Sequence, residues 1–520
     1  MNIYTSPLGG IARSDLSVTE RVFEGVRNRA DLPVLIDGPT GAAVSGAAFM
    51  DAVKALAGGL TARGFGKGAT VALMLPNIPE FCIAFHAVAW AGGTVTTVNP
   101  AYTAHELHHQ LMASAATLLI TTPQLLSVAR EGMQDTGVRA LSVVGEAEGA
   151  IPFAALSGAP LAAQVPVDLG DHILVLPFSS GTTGLPKGVM LTHRNLVANV
   201  DQLSAQRPIA PGEWTVGFLP FFHIYGLTVL ANFYLASGGG VVTMPRFDLE
   251  LFLGLCQEHR VPQVFVVPPV VLALAKHPLV DRYDLSALRY LFSGAAPLGA
   301  SLAEAAARRL SVACEQGYGM TEMSPVSHCS QSGKGRPGSV GPPVPGTECR
   351  IVDPLTMTDV PPGEEGELWV RGPQVMKGYL NNPQATADTL LPDGWLRTGD
   401  IGAFDEGGHL YIRDRLKELI KMKAFQVAPA ELEAVLVAHP DIADAAVVGE
   451  PDEEAGEIPV AYLVAAGDRR LTLDEIDAWF EGKLAHYKRV RRVDYIDAIP
   501  KSASGKILRR LLRARPSQAA

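Results

Sequence analysis

The stretch that decides the fold reads Phe178-Ser-Ser-Gly-Thr-Thr-Gly-Leu-Pro-Lys-Gly-Val189. It follows a short apolar run that predicts a buried strand, and it precedes a helix predicted from His193, with Thr192 as N-cap. Its three glycines let backbone N–H groups approach an anion, its four hydroxyl side chains add donors, and Lys187 adds positive charge. Because Gly188 stands where a Walker A loop requires Ser or Thr, we predict a phosphate-binding loop of another type. A flexible linker is the alternative, but linkers are seldom set between a strand and a helix.

The length and composition describe a large globular protein. At 520 residues the chain exceeds the size at which one hydrophobic core stops growing, so we expect at least two domains. The hydrophobic content of 48% excludes a disordered chain, and the net charge of -10 argues against nucleic acid or an anionic membrane as main partner. Five cysteines without a Cys-x-x-Cys pair indicate free thiols in the cytoplasm. We expect no signal peptide, no membrane span and no peroxisomal address.

Predicted strands alternate with predicted helices before and after the glycine-rich loop. This alternation predicts a mostly parallel sheet with helices on its faces, which is the α/β class. Two further glycine-rich turns, at residues 293–299 and 315–322, also follow predicted strands. Because open α/β sheets bind ligands where strands end in such turns, we expect the three turns to form one composite site.

The sequence pattern changes near residue 340. Glycine and proline crowd residues 333–346, and the strands that follow are short, which predicts a small barrel or an antiparallel sheet. The final part of the chain contains enough helices and strands for a compact α+β domain. We therefore expect a large N-terminal domain of helix-flanked, mostly parallel sheets plus the small barrel at residues 1–413. A small α+β C-terminal domain is expected at residues 414–520.

Several separate motifs stand in one order along the chain. They are residues 179–188, 222–225, 293–299, 317–322, 394–400, 417–431 and 500–506. Together these motifs resemble the adenylate-forming acyl-CoA synthetases, a family that contains plant 4-coumarate–CoA ligases, firefly luciferase and fatty acyl-CoA synthetases. The resemblance covers essentially the whole chain, and the coumarate-ligase-like members are the most similar.

The resemblance implies an ATP-dependent reaction in two steps. A carboxylate attacks the α-phosphate of ATP to give an acyl-adenylate and pyrophosphate, and the thiol of coenzyme A then displaces AMP. The implied substrates and cofactors are a small carboxylic acid, ATP, Mg²⁺ and coenzyme A, with no nucleic acid partner. The oligomeric state stays open.

The same resemblance assigns residues to the nucleotide. Thr182 and Glu322 would lie near the magnesium ion, Asp400 would accept hydrogen bonds from the ribose, and Arg415 would lie over the ribose and α-phosphate. A surface ion pair between Asp400 and Arg415 is the alternative. The residues implied in ATP or AMP binding are Ser179, Ser180, Gly181, Thr182, Thr183, Gly184, Lys187, Ala295, Ala296, Gln316, Gly317, Tyr318, Gly319, Thr321, Asp400, Arg415, Lys417, Lys421 and Gln426.

Two lysines of the small domain are implied in catalysis. Lys506 would steady the carboxylate and the adenylate oxygens in the first step, and Lys421 would face the adenylate in the second. Two active lysines on different faces require the domain to rotate, with Asp414 as the implied hinge. The other implied catalytic residues are His223, Thr321 and Glu322. Coenzyme A is implied to contact Arg246, Lys423 and Ala424, the last standing where the family usually has glycine.

The implied acyl pocket favours an aryl or hydroxycinnamate-type acid. Its wall is formed by His223, Tyr225, Val229, Ala295, Gly317, Pro325, Val326 and Cys329. Val229 and Cys329 depart from the plant pattern, and an apolar Val229 would weaken recognition of a ring hydroxyl. His223 and Tyr225 could instead be packing residues. A medium-chain aliphatic acid therefore stays open as substrate, as does a stand-alone adenylation protein that loads a carrier-protein phosphopantetheine, which Arg246 disfavours.

Overall fold

A mixed eight-stranded sheet carries the two strands that flank the first glycine-rich loop. The computed structural model describes residues 2–179, 186–422, 425–452, 455–503 and 505–513. Six neighbouring strands of this sheet run parallel, and the two at one edge run antiparallel. In spatial order the strands are Gly378–Tyr379, Lys187–Thr192, Ile173–Ser179, Thr94–Thr97, Thr70–Leu73, Ala116–Thr121, Ala140–Val143 and Ile151–Pro152.

The first glycine-rich loop connects two antiparallel strands, so the prediction of a strand-to-helix connection was wrong. Ile173–Ser179 pairs with Lys187–Thr192 before the helix His193–Gln206 begins. The second strand was overlooked because it is short, although its buried Val189 and Leu191 show the period of two that a strand requires. The predicted N-cap at the end of this strand is confirmed, since its threonine hydroxyl accepts from the backbone of the third helical residue.

Two four-stranded sheets complete the parallel part of the fold. The first contains Trp214–Gly217, Gly240–Thr243, Pro33–Asp37 and Ala43–Ser45. The second contains Gln263–Val266, Tyr290–Ser293, Ala313–Gly319 and Val326–Cys329, of which the first three are parallel. The second glycine-rich turn follows Tyr290–Ser293, at the carboxyl edge of this sheet. The prediction of a third turn at residues 315–322 was wrong for its first part, because residues 315–319 belong to the neighbouring parallel strand Ala313–Gly319 and only the short 3₁₀ turn Thr321–Met323 follows it.

The short strands predicted after residue 340 form a five-stranded antiparallel sheet. Its strands, in spatial order, are Tyr4–Thr5, Glu348–Val352, Gly366–Arg371, Leu396–Phe404 and Leu410–Arg415. The predicted hinge Asp414 lies in the last of these strands, opposite Ile401. The chain then enters a different sheet at Ile420–Met422.

The C-terminal part builds its own five-stranded sheet and its own apolar core. The strands are Phe425–Val427, Ile420–Met422, Gly456–Ala465, Ile442–Asp452 and Arg492–Tyr495. The helices Pro429–Val437 and Leu473–Phe480 belong to this part. The prediction of a small α+β unit agrees with these elements.

Helices cover the faces of the sheets, as the alternating pattern predicts. The α-helices of the N-terminal part are Val18–Arg27, Gly46–Ala62, Pro79–Trp90, Ala104–Ser114, Leu126–Gly132, His193–Gln206, Tyr234–Ala236, Leu249–Glu258, Pro268–Lys276, Ala300–Leu310 and Pro383–Thr389. A π-helix, Gly226–Phe233, runs directly into Tyr234–Ala236. The C-terminal helices are Pro429–Val437, Leu473–Phe480 and Arg509–Arg513. Within the described ranges, no helix combines the length and apolar character needed to cross a lipid bilayer.

One buried ion pair ties the sheet that carries the second and third turns to its neighbours. The Arg207 side chain is fully buried and donates from Nη1 to Glu315 Oε2 at 2.7 Å and to the Ser330 carbonyl at 2.9 Å. Its guanidinium carbon lies 4.6 Å from the ring centroid of Phe292. The backbone N–H of Gly335 donates to the other Glu315 oxygen at 2.8 Å. Four separate parts of the chain therefore meet at two side chains.

Glu315→Gln is expected to destabilise the N-terminal part by about 3–5 kcal/mol, because it leaves the buried Arg207 guanidinium without its counter-charge. The measurement is the shift of the urea unfolding transition. The control is Glu304→Gln, which removes an exposed carboxylate that lies 3.5 Å from Arg308 on a helix surface. This control should change the unfolding free energy by less than about 1 kcal/mol. Equal shifts in the two variants would contradict the role given to the buried pair.

Candidate active site

A cavity of ≈ 710 Å³ opens between the N-terminal and C-terminal parts. The carboxyl ends of two parallel strands form one wall, and the C-terminal part closes the other. The predicted site residues that line this cavity are Ala295, Ala296, Gln316, Gly317, Tyr318, Gly319, Asp400, Asp414, Arg415, Gln426 and Lys506. Two glycine-rich turns and three later motifs therefore converge on one space.

A carboxylate with two polar partners lies on the cavity wall. The Tyr318 hydroxyl donates to Asp400 Oδ2 at 2.5 Å, and Arg415 Nε lies 3.4 Å from Asp400 Oδ1. Asp400 and Arg415 are register partners on adjacent strands, so the sheet itself holds the pair. Burial, and then the Asp400 charge, raises the pKa of Tyr318 well above its ordinary value, which keeps the phenol a hydrogen-bond donor. The cluster offers acceptors and a cation to a ligand rich in hydroxyl and phosphate groups.

Small residues make room beside this cluster. A Cβ atom on Gly317 would collide with the ring of Phe292, and one on Gly319 would collide with the carbonyl of Pro325. Ala295 adopts a left-handed backbone with φ of 68°. The backbone N–H of Leu298 donates to Gln316 Oε1 at 3.1 Å, which holds the second and third glycine-rich turns together. The backbone of Gln316–Gly319 therefore packs closely on its neighbours and forms a wall of the cavity, which we call the slot.

Lys506 enters the cavity from the C-terminal part. Its turn is closed by a hydrogen bond of 2.8 Å from the Ser502 N–H to the Lys506 carbonyl. Gly505 has a φ of 80°, and a Cβ atom there would lie 3.3 Å from Val267, so the turn packs tightly on the N-terminal part. Burial, and then repulsion by Arg415, lowers the pKa of Lys506 to about 8.

Lys421 and Lys417 lie elsewhere. Both are exposed, and neither lines the cavity. The backbone N–H of Lys421 donates to Glu457 Oε2 at 2.7 Å, within the C-terminal part. The structure thus brings Lys506 to the predicted nucleotide residues and leaves Lys421 outside. This is the arrangement that the sequence resemblance implies for the first step.

A second polar cluster lies where the first glycine-rich loop leaves and re-enters the sheet. The Tyr379 hydroxyl donates to Glu322 Oε1 at 2.7 Å, and Ser179 Oγ lies 3.4 Å from the same oxygen. Lys187 Nζ lies 5.2 Å from the ring centroid of Tyr379. Residues 180–185, and with them the predicted ligands Ser180, Gly181, Thr182, Thr183 and Gly184, are outside the described residues. Sequence reasoning missed Tyr379, because it belongs to a two-residue edge strand with no motif of its own.

The predicted acyl-wall residues surround the end of strand Tyr290–Ser293. The ring of Tyr225 packs against Gly294, where a Cβ atom would lie 3.0 Å away, and its hydroxyl lies 3.4 Å from the Phe292 carbonyl. Burial, and then the Lys506 charge, lowers the pKa of His223 to about 4, so its imidazole is neutral near pH 7. Val229 is fully buried in the π-helix. Cys329 pairs in register with Gly317, and Pro325 and Val326 lie at the start of the same antiparallel strand.

The predicted catalytic residues His223, Thr321 and Glu322 and the predicted coenzyme A contact Arg246 also lie outside the described cavity lining. Thr321 begins a short 3₁₀ turn that also contains Glu322, and the described cavity lining does not include it. Arg246 is exposed after strand Gly240–Thr243, also outside that lining. The predictions for Lys423 and Ala424 concern residues outside the described ranges.

Comparison with known families now identifies the class of protein. A family model described as AMP-binding enzyme matches residues 22–380, and one described as AMP-binding enzyme C-terminal domain matches residues 431–506. The chain therefore belongs to the family of AMP-binding enzymes, as its motifs predicted.

The chain is similar to individual relatives over nearly its whole length. The chain is 43% identical to 4-coumarate–CoA ligase 5 of Oryza sativa subsp. japonica over 99% of its own length and 97% of the relative's. Its structure is similar to the ATP-bound MatB protein of Rhodopseudomonas palustris, with a TM-score of 0.87, 29% identity and coverage of 96% of this chain and 98% of that one. It is also similar to a benzoate CoA ligase from Burkholderia xenovorans, with a TM-score of 0.87, 25% identity and coverage of 96% and 100%.

The Lys506 amine is expected to titrate near pH 8, because burial and Arg415 disfavour its charged form. The measurement is a ¹³C NMR titration of reductively methylated protein. A resonance with this pKa should be absent from Lys506→Arg and present in Lys421→Arg, which serves as control. Arg415→Gln should raise the pKa of Lys506, because it removes a neighbouring positive charge. Loss of the resonance in Lys421→Arg would contradict the assignment.

Proposed function

We propose that the protein is an AMP-forming acid–thiol ligase. It would activate a carboxylic acid with ATP to an acyl-adenylate, and it would transfer the acyl group to coenzyme A with release of AMP. The observation that carries this proposal is the convergence of Asp400, Arg415 and Lys506 beside the backbone slot at Gln316–Gly319. A flat base, a ribose and a phosphate find complementary groups there in that order.

In the first step the protein positions two anions and stabilises the charge that develops between them. The ribose hydroxyls donate to Asp400, which the hydrogen bond from Tyr318 keeps in place. A carboxylate oxygen attacks the α-phosphorus, and the bond to the leaving pyrophosphate breaks. Arg415 and the ammonium of Lys506 would face the oxygens that carry the charge. No general base is needed because the acid is already ionised, and the neutral His223 can donate a hydrogen bond to it without adding charge.

A magnesium ion is expected with ATP, and the residues present fit one. The carboxylate of Glu322, whose Oε1 accepts from Tyr379, would hold the ion together with Thr182. Mg²⁺ prefers one or two carboxylates plus substrate phosphates, so a single glutamate is a suitable donor set. Among the described residues, no group of three or more His, Cys, Asp or Glu could hold a metal alone. When bound, the ion would neutralise charge on the β- and γ-phosphates.

The second step requires a different face of the C-terminal part. We propose that this part rotates at Asp414 and brings Lys421 to the adenylate, where the coenzyme A thiol attacks the acyl carbon and AMP leaves. The exposed position of Lys421 supports this proposal. Asp414 suits a hinge because it lies at the end of strand Leu410–Arg415, where the chain leaves the N-terminal part. Its Oδ2 accepts from the N–H of Ala430 at 2.9 Å, at the start of the first C-terminal helix. The carboxylate therefore joins the last strand of one part to the first helix of the other.

An aryl or hydroxycinnamate-type acid is the proposed substrate. The relative in Oryza sativa at 43% identity supports this class. The half-buried His223, the buried Tyr225 and the buried Val229 support an acyl wall of mixed character. A medium-chain aliphatic acid is the alternative, since Val229 offers no hydrogen bond to a ring hydroxyl. The proposed compartment is the cytoplasm, supported by five cysteines that are all free.

A panel of acids tests the proposed function. Pyrophosphate release is measured with aryl and straight-chain acids, each with and without coenzyme A. We expect turnover with aryl acids to depend on coenzyme A and to yield the thioester. Turnover with aliphatic acids alone would favour the alternative substrate class. Adenylate formation that coenzyme A does not discharge would favour a carrier-protein loading function.

Lys506→Ala should abolish adenylate formation while sparing the transfer of a synthetic acyl-adenylate to coenzyme A. Loss of one charged group at a developing negative charge should slow the first step by a factor of about 10²–10³. The two half-reactions are measured separately by ATP–pyrophosphate exchange and by single-turnover transfer. Lys421→Ala is the matched variant and should show the opposite pattern. Equal losses in both half-reactions would contradict separate roles for the two lysines.

Val229→Ser should raise kcat/KM for 4-hydroxylated acids relative to that for unsubstituted ones. One neutral hydrogen bond of about 1 kcal/mol predicts a roughly fivefold change in the ratio of kcat/KM for coumarate and cinnamate. Val229→Ala, which shortens the side chain without adding a hydroxyl, is the control. An unchanged ratio in Val229→Ser, or the same change in both variants, would contradict the placement of this residue against the substrate ring.

A further inference from the structure

A second cavity lies on the N-terminal part. It has a volume of ≈ 440 Å³ and lies where the helix Val18–Arg27 ends against the turn at Ser237 and Gly238. Among the described residues, none lines both this cavity and the candidate active site. Nothing in the proposed reaction uses it.

One charged side chain of this cavity, Arg29, is buried with two guanidinium nitrogens that have no hydrogen-bond acceptor among the described residues. Arg29 is only 8% exposed, and its Nε and Nη1 atoms are buried without a hydrogen-bond partner among the described residues. The guanidinium carbon lies 5.3 Å from the ring centroid of Trp214, a contact that covers one face but accepts no hydrogen bond. Buried cations are ordinarily paired, so a guanidinium left in this state has donors available for a ligand.

The other charged side chains that line the cavity, Arg21 and Glu24, decide which ligand charge fits beside Arg29. Arg21 donates to Asp201 Oδ1 and to the Ala236 carbonyl, both at 2.8 Å, so its charge is already compensated. Glu24 is exposed and lines the cavity. The negative end of the helix dipole also lies at this end of Val18–Arg27. These negative groups oppose a phosphate dianion more strongly than a ligand with a single negative charge.

Other residues that line the cavity provide a hydrogen-bond donor and an apolar wall. The Oγ atom of Ser237 is buried without a partner among the described residues, so it can donate to an anion. Leu32 is 53% exposed and lines the cavity together with Pro211. An apolar side chain that is half exposed at the mouth of a cavity can cover the organic body of a ligand.

We propose that this cavity binds a small organic monocarboxylate as an accessory site, distinct from the candidate active site. The carboxylate accepts two hydrogen bonds from the fork of Arg29 and one from Ser237, and the organic body packs on Leu32 and Pro211. A planar guanidinium and a carboxylate match in bidentate geometry, whereas a lysine would offer only a point charge. The proposal concerns binding and does not rest on the proposed reaction.

Titration calorimetry of the full chain with trans-cinnamate tests the site. The candidate active site is first saturated with a sulfamoyl-linked acyl-adenylate analogue. We expect one remaining carboxylate site per chain, with weaker binding of inorganic phosphate at the same ionic strength. Arg29→Met should weaken cinnamate binding about tenfold or more, since a charge-assisted pair is lost. Arg29→Lys should fall in between, and Arg27→Met, which removes an exposed arginine at the end of the preceding helix, should bind as the parent does.

Three results would overturn the proposal. They are equal cinnamate affinity in the parent and in Arg29→Met, absence of the remaining site in the parent, and a preference for phosphate over the carboxylate. If Arg29→Met does not fold, the number of cinnamate sites in the parent and the cinnamate affinity of Arg29→Lys still test the proposal. A changed oligomeric state of Arg29→Met in sedimentation, without carboxylate binding by the parent, would assign Arg29 to a protein interface and also overturn it. Failure of the analogue to bind would instead contradict the proposed function, and the parent would then be compared with Arg29→Met directly.

Discussion

The ion pair between Arg207 and Glu315 is the interaction on which the cavity depends. Both side chains are buried, so neither charge can be left alone without a large cost in free energy. Glu315 is followed directly by Gln316, which holds the neighbouring turn through the N–H of Leu298. The position of the slot is therefore set by a charged contact behind it, in the core, and not by the residues that face the ligand.

The cavity also depends on a contact between the two parts of the chain. The turn at Gly505 packs closely on Val267, at 3.3 Å from the place where a Cβ atom would lie, and it brings Lys506 to a place where burial makes its ammonium costly. A negatively charged ligand relieves that cost, because it favours the charged form. Packing between the two parts and binding of an anion thus stabilise the same closed arrangement. The exposed position of Lys421 depends neither on that packing nor on the anion.

Much of the fold and of the site could be predicted from the sequence, because glycine-rich turns after apolar strands have few structural solutions. Ser293–Gly299 is such a turn, whereas Asp400, Arg415 and Lys506 were found through motifs that resemble those of a family, and the structure brings these three residues to one cavity with Gln316–Gly319. Tyr379 could not be found in this way, since its contact with Glu322 joins a two-residue edge strand to a distant turn. The strand after Lys187 was missed for a similar reason. Its buried Val189 and Leu191 were a local signal, but its pairing with the distant Gly378–Tyr379 could not be read from the sequence.

Ala295 shows how the shape of the slot is maintained. Its left-handed backbone, with φ of 68°, is one that a residue with a side chain adopts only at a cost of roughly 1–2 kcal/mol. Glycine would remove that strain but would give the turn more conformational freedom. The methyl group of Ala295 therefore costs some stability and makes the turn more rigid. A strained conformation of this kind persists only where the surrounding structure enforces it, here through the contact of Gln316 with Leu298. The base of the proposed nucleotide would therefore meet a wall whose shape is set before binding.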